Sequence, residues 1–135
     1  MNNVLMIEDN ADDAELAQRA LERVGLADKI RLARSGEDAL DFLFGRGDYA
    51  KQQNAEVIKL ILLDLNLPKA PGLEVLKQIR LNPTTRQIPV VILTVSRKEP
   101  DLLQSFTMGI SDYLIKPLDP ARFAQIYKKY VRESE

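Results

Sequence analysis

The sequence contains no cysteine and no histidine among its 135 residues. Without cysteine, disulfides and thiolate metal sites are excluded. Without histidine, histidine-based catalytic triads, histidine general bases and imidazole zinc sites are excluded as well. Any bound metal ion must therefore be held by oxygen ligands, which favours magnesium, manganese or calcium.

An excess of one charge and long apolar runs are also missing. Nineteen Lys and Arg stand against 20 Asp and Glu, for a net charge of -1, which gives no electrostatic footprint for nucleic acid or an anionic membrane. No uncharged stretch approaches the roughly 20 residues of a membrane helix. Too few apolar residues precede Glu8 and Asp9 for a signal-peptide core. We expect a soluble, cytoplasmic protein that binds neither nucleic acid nor membrane.

The overall amino-acid composition is that of a folded globular protein. Hydrophobic residues make up 45% and charged residues 29% of the chain, both ordinary values for globular domains. A chain of 135 residues can bury a core of its own. No internal repeat, low-complexity tract or linker divides it, so we predict one domain over residues 1–135.

Apolar segments alternate with amphipathic ones along the whole chain. Buried runs closed by polar residues predict strands, and apolar residues at helical spacing predict helices. The alternation predicts a doubly wound α/β fold with a mostly parallel sheet and helices on both faces. Residues 45–56 are polar and lack periodicity, so we predict a loop there. The predicted strands are 4–7, 29–33, 60–64, 89–93 and 112–115, and the predicted helices are 13–24, 35–43, 72–81, 99–108 and 119–130.

The third predicted strand ends on a single acid, Asp64. Burying a lone carboxylate costs several kcal/mol, so we expect Asp64 at the point where the strand emerges from the core. In open α/β sheets this carboxyl edge is where ligands bind.

Four of the five predicted strands end on polar groups: Glu8 with Asp9, Asp64, Thr94 and Lys116. The second strand, which ends at Arg34, has no obvious contribution. Neighbouring carboxylates repel one another, and Mg²⁺ relieves such repulsion. Aspartate is a known acceptor in covalent phosphoryl chemistry, which mainly requires positioning and neutralisation of charge. Mg²⁺, the lysine and the threonine hydroxyl could supply both.

This set of strand-end residues closely resembles the response-regulator receiver domain, which has a CheY-like fold. The resemblance covers essentially the whole chain and implies a five-stranded parallel sheet of order 2-1-3-4-5 with five helices. It implies a two-component signalling switch in which Asp64 accepts a phosphoryl group from a sensor histidine kinase. Such a switch promotes its own phosphorylation and dephosphorylation and is not a turnover enzyme.

The resemblance also implies a role for each residue of the set. Asp9, Asp64 and the main-chain carbonyl of Asn66 would bind Mg²⁺, with Glu8 supporting the metal through water. Thr94 and Lys116 would contact the phosphoryl group. Tyr113 falls where receivers carry the aromatic residue that changes rotamer on activation.

Two segments narrow the resemblance to small regulators paired with phytochrome-type histidine kinases. They are residues 41–49 (DFLFGRGDY) and 64–69 (DLNLPK), and a longer loop before the third strand is usual in that subgroup. Two departures stand out. Val95 follows Thr94 where many receivers have a smaller residue, and Ala70 and Pro71 precede Gly72 where an acid is more usual.

Two other classes of protein share a strand-end aspartate or the topology. Haloacid-dehalogenase-like phosphatases place the aspartate on the first strand with a second Asp two residues on, where this chain has Asn66. Flavodoxin-type binders need a phosphate loop rich in hydroxyls and glycine after the first strand, where residues 8–12 are acidic. We favour the switch and keep the magnesium-dependent phosphatase as the alternative.

Because no effector domain follows the last helix, we expect output through contacts with an unknown protein target on the face of the fourth and fifth helices. We also expect a homodimer through the C-terminal helix, on which Tyr127 and Tyr130 are predicted to be exposed. Lys128, Lys129 and Arg132 are predicted to be a solvated face, because the acids Glu133 and Glu135 follow them.

Overall fold

A computed structural model describes residues 2–50, 54–67 and 71–132. Pro68 and Lys69 of the phytochrome-type motif, Ala70 of the departure before Gly72, loop residues 51–53 and the acids Glu133 and Glu135 lie outside this part of the chain. The described strands are β1 (Val4–Ile7), β2 (Ile30–Ala33), β3 (Leu60–Asp64), β4 (Val90–Thr94) and β5 (Asp112–Ile115). The described α-helices are α1 (Ala11–Arg23), α2 (Gly36–Phe44), α3 (Gly72–Leu81), α4 (Pro100–Thr107) and α5 (Pro120–Tyr127).

The five strands form one parallel sheet in the order β2-β1-β3-β4-β5. This order confirms the predicted doubly wound fold. The register aligns the carboxyl ends of the strands, since Ile7 pairs with both Ala33 and Leu63, and Asp64 pairs with Leu93. The residues that follow the strands are therefore collected at one edge of the sheet.

Helices cover both faces of the sheet, so its central strands are buried on both sides. Every residue of β1, β3 and β4 is buried, which explains their continuous apolar runs. Along β1, Leu5 and Ile7 join one core cluster, whereas Val4 and Met6 join the other. As predicted, β2 is a more exposed edge strand.

Side-chain caps fix the starts of the first two helices. The Asn10 side chain accepts a hydrogen bond from the Asp13 amide at 2.9 Å, so α1 begins at Ala11, two residues earlier than predicted. Ser35 caps α2 through the Asp38 amide at 3.0 Å, as predicted. Leu16 recurs at helical spacing with the buried apolar residues of α1 but is 51% exposed, so apolar periodicity alone does not define the edge of the buried face.

The predicted loop after α2 contains two short 3-10 turns, Gly47–Tyr49 and Asn54–Glu56. The Tyr49 hydroxyl donates to Asp38 Oδ1 at 2.9 Å, and its ring packs edge-on against Phe42 at 5.4 Å between centroids. The first part of this segment therefore folds back onto α2 without any helical periodicity of its own.

The expected exposure of the C-terminal tyrosines is wrong for Tyr127, which is 4% exposed and packs near Phe123. Tyr130 is half-buried, and its hydroxyl donates to the Ser111 carbonyl at 3.0 Å. Both tyrosines have hydrogen-bonding partners within the fold, so they do not support a dimer through this helix.

Lys128 and Lys129 are exposed, as expected of a solvated face. They begin a π-helical turn, Lys128–Arg132, that continues α5, while the Arg132 side chain lies outside the described part of the structure. Within the described ranges, no helix combines the length and apolar character needed to cross a bilayer.

Candidate functional site

The carboxyl edge of the sheet brings three acids together. Glu8 and Asp9 directly follow β1, and Asp64 is the last residue of the neighbouring strand β3. Each of the three can offer one carboxylate oxygen such that all three oxygens lie within 4.8 Å of one another. Glu8 and Asp64 are buried, and Asp9 is half-buried. The edge therefore holds a compact group of oxygen ligands in which negative charges crowd together.

Lys116 follows β5 and reaches into this acidic group. Its Nζ lies 2.7 Å from Glu8 Oε2, 2.9 Å from Asp64 Oδ2 and 3.0 Å from Asp13 Oδ2. An ammonium group has three N–H donors, so three carboxylates occupy its full donor capacity. The Lys116–Pro117 peptide bond that follows is cis.

Asp13 is the member of this network that the sequence reasoning missed. It lies in the first turn of α1, three residues after the Asn10 cap. A usable signal was present: α1 starts only a few residues after β1, so its first turn has to lie at the same edge of the sheet as Glu8.

Burial and ion pairing have opposing effects on the pKa values of both Lys116 and Glu8. Burial alone would lower the pKa of Lys116, but its bonds to Glu8, Asp64 and Asp13 outweigh burial and raise that pKa above its ordinary value. Burial, followed by the nearby Asp64 carboxylate, raises the pKa of Glu8 to about 7 in spite of Lys116. One lysine does not compensate all of the negative charge at this edge.

Asp64 is only 2% exposed, which differs from the expected emergence into solvent. Its burial is compensated on both oxygens. Oδ1 accepts from the Asn66 main-chain N–H at 2.9 Å, and Oδ2 accepts from Lys116. These two bonds fix the orientation of the carboxylate at the end of β3.

Gly72 at the start of α3 determines how closely the backbone packs beside Asp64. A Cβ atom at this position would lie 2.7 Å from both the Asp64 carbonyl oxygen and Leu65 Cα. No side chain fits there without movement of the backbone. Only glycine allows α3 to begin against the end of β3, a constraint that the sequence analysis did not identify.

The other predicted residues lie around this centre with partners of their own. The buried Thr94 hydroxyl donates to the Ser96 carbonyl at 3.1 Å. The Asn66 side-chain amide donates from Nδ2 to Glu99 Oε1 at 3.2 Å, a contact that was not predicted. Tyr113 is half-buried and packs edge-on against Phe106 at 6.1 Å between centroids.

The second strand does contribute to this edge, contrary to expectation. Arg34, which follows β2, donates from Nη2 to the main-chain carbonyl of Asp9 at 3.3 Å. The contact supports the backbone of Asp9 and places a guanidinium group near the acids. All five strand ends therefore supply polar groups to the same edge of the sheet.

Chemically, the candidate donor set consists of carboxylate oxygens, which are ligands that hard divalent cations such as Mg²⁺ prefer. A cation beside an ordered lysine favours the binding of a group with several anionic oxygens. Asp64 belongs to the acidic group and also contacts Lys116.

Comparisons with known proteins find relatives of one family. The family model described as "Response regulator receiver domain" matches residues 4–128. Response regulator Rcp1 of Synechocystis sp. (strain PCC 6803) is 40% identical over 113 residues, covering 84% of this chain and 75% of Rcp1. The solved structure of the bacteriophytochrome response regulator AtBRR matches with a TM-score of 0.83 and 38% identity, over 96% of this chain and 92% of AtBRR. The Mn²⁺-bound form of Rcp1 matches with a TM-score of 0.77 and 34% identity, over 98% of this chain and 95% of that structure.

Proposed function

The chain belongs to the response regulator receiver domain family of two-component signalling, and on this premise we propose that Asp64 accepts the phosphoryl group. The observation that carries the proposal is the position of the Asp64 carboxylate. It lies 2.9 Å from Lys116 Nζ and within a group of three acids whose oxygens fit one cation. We assign residues 1–135 to one such domain.

The acidic group fits Mg²⁺ as the working metal. Asp9, Asp64 and the main-chain carbonyl of Asn66 would hold it directly, and Glu8 would hold it through water. The all-oxygen donor set and the raised pKa of Glu8, caused by burial and by Asp64, both indicate a need for an additional positive charge. Rcp1, a relative, has a solved Mn²⁺-bound form. When bound, the metal would neutralise charge on the phosphoryl oxygens.

The reaction is a transfer between two nucleophiles. An Asp64 oxygen attacks phosphorus in line, a new P–O bond forms, and the P–N bond to the kinase histidine breaks with its electron pair returning to the imidazole. Lys116 stabilises the charge on a phosphoryl oxygen. The Thr94 hydroxyl, which now donates to Ser96, donates to another phosphoryl oxygen after exchanging that partner.

Water reverses the modification at the same site by attacking phosphorus and releasing phosphate from Asp64. The chain thus promotes both its phosphorylation and its dephosphorylation. The phosphatase alternative is not favoured, because the chain belongs to the receiver family and Asp64 lies on the third strand. In addition, Asn66, two residues later, cannot act as a general acid.

The phosphoryl donor is a sensor histidine kinase of the phytochrome type. The support is the similarity to the bacteriophytochrome response regulator AtBRR and to Rcp1. We place the protein in the cytoplasm, where the ATP that charges such kinases is available.

The output surface is the exposed face of α4. Leu103 and Phe106 are 63% and 50% exposed on this helix, and Val95 before it is 59% exposed. The Phe106 ring contacts Tyr113, so a change at Tyr113 would reach this surface. We propose that the face binds a second copy of the chain and a downstream protein. It replaces the C-terminal tyrosines as the support for a homodimer.

Intact-mass spectrometry after incubation with acetyl phosphate or an autophosphorylated phytochrome-type kinase, each with Mg²⁺, tests the phosphoacceptor. We expect native protein to gain one phosphoryl group and Asp64→Asn to gain none. Asp48→Asn, which changes an exposed acid on a distant turn, is the matched control and should label like native protein. Stoichiometric, persistent labelling of Asp64→Asn would overturn the assignment.

Sedimentation of the same samples tests the output surface. Phosphorylated native protein should sediment faster than the unmodified protein, whereas Asp64→Asn should not change. Equal sedimentation of phosphorylated and unmodified native protein would exclude phosphorylation-controlled dimerisation and leave the phosphoacceptor assignment intact.

A further inference from the structure

Asp13 differs from the other two partners of Lys116 in its exposure. The Glu8 and Asp64 side chains are 2% and 3% exposed, whereas that of Asp13 is 38% exposed. Water can therefore solvate the Asp13 carboxylate when its bond to Lys116 breaks. Water has little access to the two buried carboxylates.

The start of α1 holds Asp13 in this place. Asn10 accepts from the Asp13 amide through its side chain at 2.9 Å and donates from its own amide to Glu8 Oε1 at 3.1 Å. One residue thus fixes the positions of two of the acids that contact Lys116. The Asp13 contact follows from the helix start and does not depend on a flexible loop.

We propose that Asp13 is a positioning residue that competes with the phosphoryl group for Lys116 and so weakens the hold of the site on that group. The proposal rests on the function proposed for Asp64. The three N–H donors of Lys116 all have carboxylate partners, so a phosphoryl oxygen must displace one of them. Asp13 is released at the lowest cost because it is the most exposed.

Removing the Asp13 charge should therefore tighten the binding of a phosphoryl group. Lys116 would still have its two buried partners and would remain in place. The variant also removes one negative charge that repels the anionic phosphoryl oxygens at short range. Both effects have the same sign.

The test is calorimetric titration with beryllofluoride, a phosphoryl mimic, at saturating Mg²⁺. Asp13→Asn should bind it about threefold to tenfold more tightly than native protein, as expected for one partly screened charge. The lifetime of phosphorylated Asp64 should lengthen by a similar factor. Asp13→Glu, which keeps the charge, should return both values toward those of native protein.

Asp12→Asn is the matched control. Asp12 is exposed and lies in the same first turn of α1, so its removal changes net charge and the helix end in the same way. It should alter beryllofluoride binding far less than Asp13→Asn does. If both variants bound beryllofluoride equally more tightly, the effect would come from net charge and not from the contact with Lys116. If Asp13→Asn bound it more weakly, Asp13 would serve to hold Lys116 in place. Either result overturns the proposal.

The two proposals fail in distinguishable ways. If native protein binds no beryllofluoride and accepts no phosphoryl group, the function proposed for Asp64 fails. If native protein does both and Asp13→Asn matches it, only the role of Asp13 fails. Circular dichroism of each variant separates either outcome from loss of folding.

Discussion

Two cationic side chains lie at opposite edges of the sheet, and each has three acceptor groups. Lys116 at the carboxyl edge contacts three carboxylates. Arg80 at the end of α3 lies near the amino edge and donates to three main-chain carbonyls, those of Arg86 at 2.9 Å, Ile88 at 2.8 Å and Gly109 at 2.7 Å. The count of partners is the same, but the charge of the partners differs.

The two cations therefore differ in how their surroundings affect their pKa values. The carbonyls around Arg80 are neutral, and burial lowers the pKa of its guanidinium. The carboxylates around Lys116 carry more negative charge than it neutralises, and they raise its pKa in spite of burial. The donors of Arg80 are therefore satisfied by neutral main-chain acceptors. The carboxyl edge instead carries an excess of negative charge, which a bound cation would offset in the proposed function.

Replacing each cation by methionine should show the largest contrast. In chelator, Lys116→Met should lose about 3 kcal/mol of unfolding free energy because buried carboxylates are left uncompensated. Arg80→Met should lose about 2 kcal/mol because its hydrogen bonds to the carbonyls are lost. In urea unfolding, added Mg²⁺ should stabilise Lys116→Met more than native protein and Arg80→Met no more than native protein. Equal stabilisation of both variants by Mg²⁺ would remove the distinction.

The stability of the carboxyl edge should also depend on the close backbone packing at Gly72. Gly72→Ala should lose about 2 kcal/mol, because its Cβ would lie too close to the backbone of Asp64 and Leu65. It should also weaken Mg²⁺ binding. Gly25→Ala is the control, since Gly25 has φ +73° but no atom within 4 Å of the added Cβ. Gly25→Ala should lose stability with no change in Mg²⁺ affinity. If Gly72→Ala kept the Mg²⁺ affinity of native protein, the position of Asp64 would not depend on the close backbone packing at Gly72.

The smallest effect should be a pH dependence confined to the carboxyl edge. Burial and Asp64 raise the pKa of Glu8 from 4.5 to about 7 in the fold, so the folded state binds a proton that the unfolded chain has released. In chelator, stability should therefore fall as the pH rises from about 5 to about 7.5. The melting temperature should drop by a few degrees, and the sequence has no histidine to titrate in the same range. Glu8→Gln should reduce the slope of stability against pH. An unchanged slope would show that another group causes the pH dependence.

Much of the fold could be predicted because buried strands appear in the sequence as short apolar runs that end at polar residues, glycine or proline. The predicted bounds of α3 and β5 match the structure, since Gly72 and Asn82 delimit the helix and Lys116 follows the strand. Tyr127 was assigned wrongly because its charged neighbours suggested an exposed helix. Periodicity defines a stripe, but only the position of α5 on the sheet decides which residues of that stripe are covered.

The candidate site was predictable to the extent that parallel strands end at one edge. The strand-end acids and Lys116 follow from topology alone. The contacts of Asp13 and Arg34 do not, because they depend on where a helix turn and a long side chain reach across neighbouring segments. The short connection from β1 to α1 places Asp13 at this edge, but the order of residues does not show which side chain Asp13 contacts.

The two hydrogen bonds to Asp64 have a consequence for its lone pairs. Each carboxylate oxygen has two lone-pair directions, and Asp64 uses one on Oδ1 for the Asn66 amide and one on Oδ2 for Lys116. In the proposed reaction, a cation and a phosphorus atom approach different oxygens of Asp64 while these two hydrogen bonds hold the carboxylate in place.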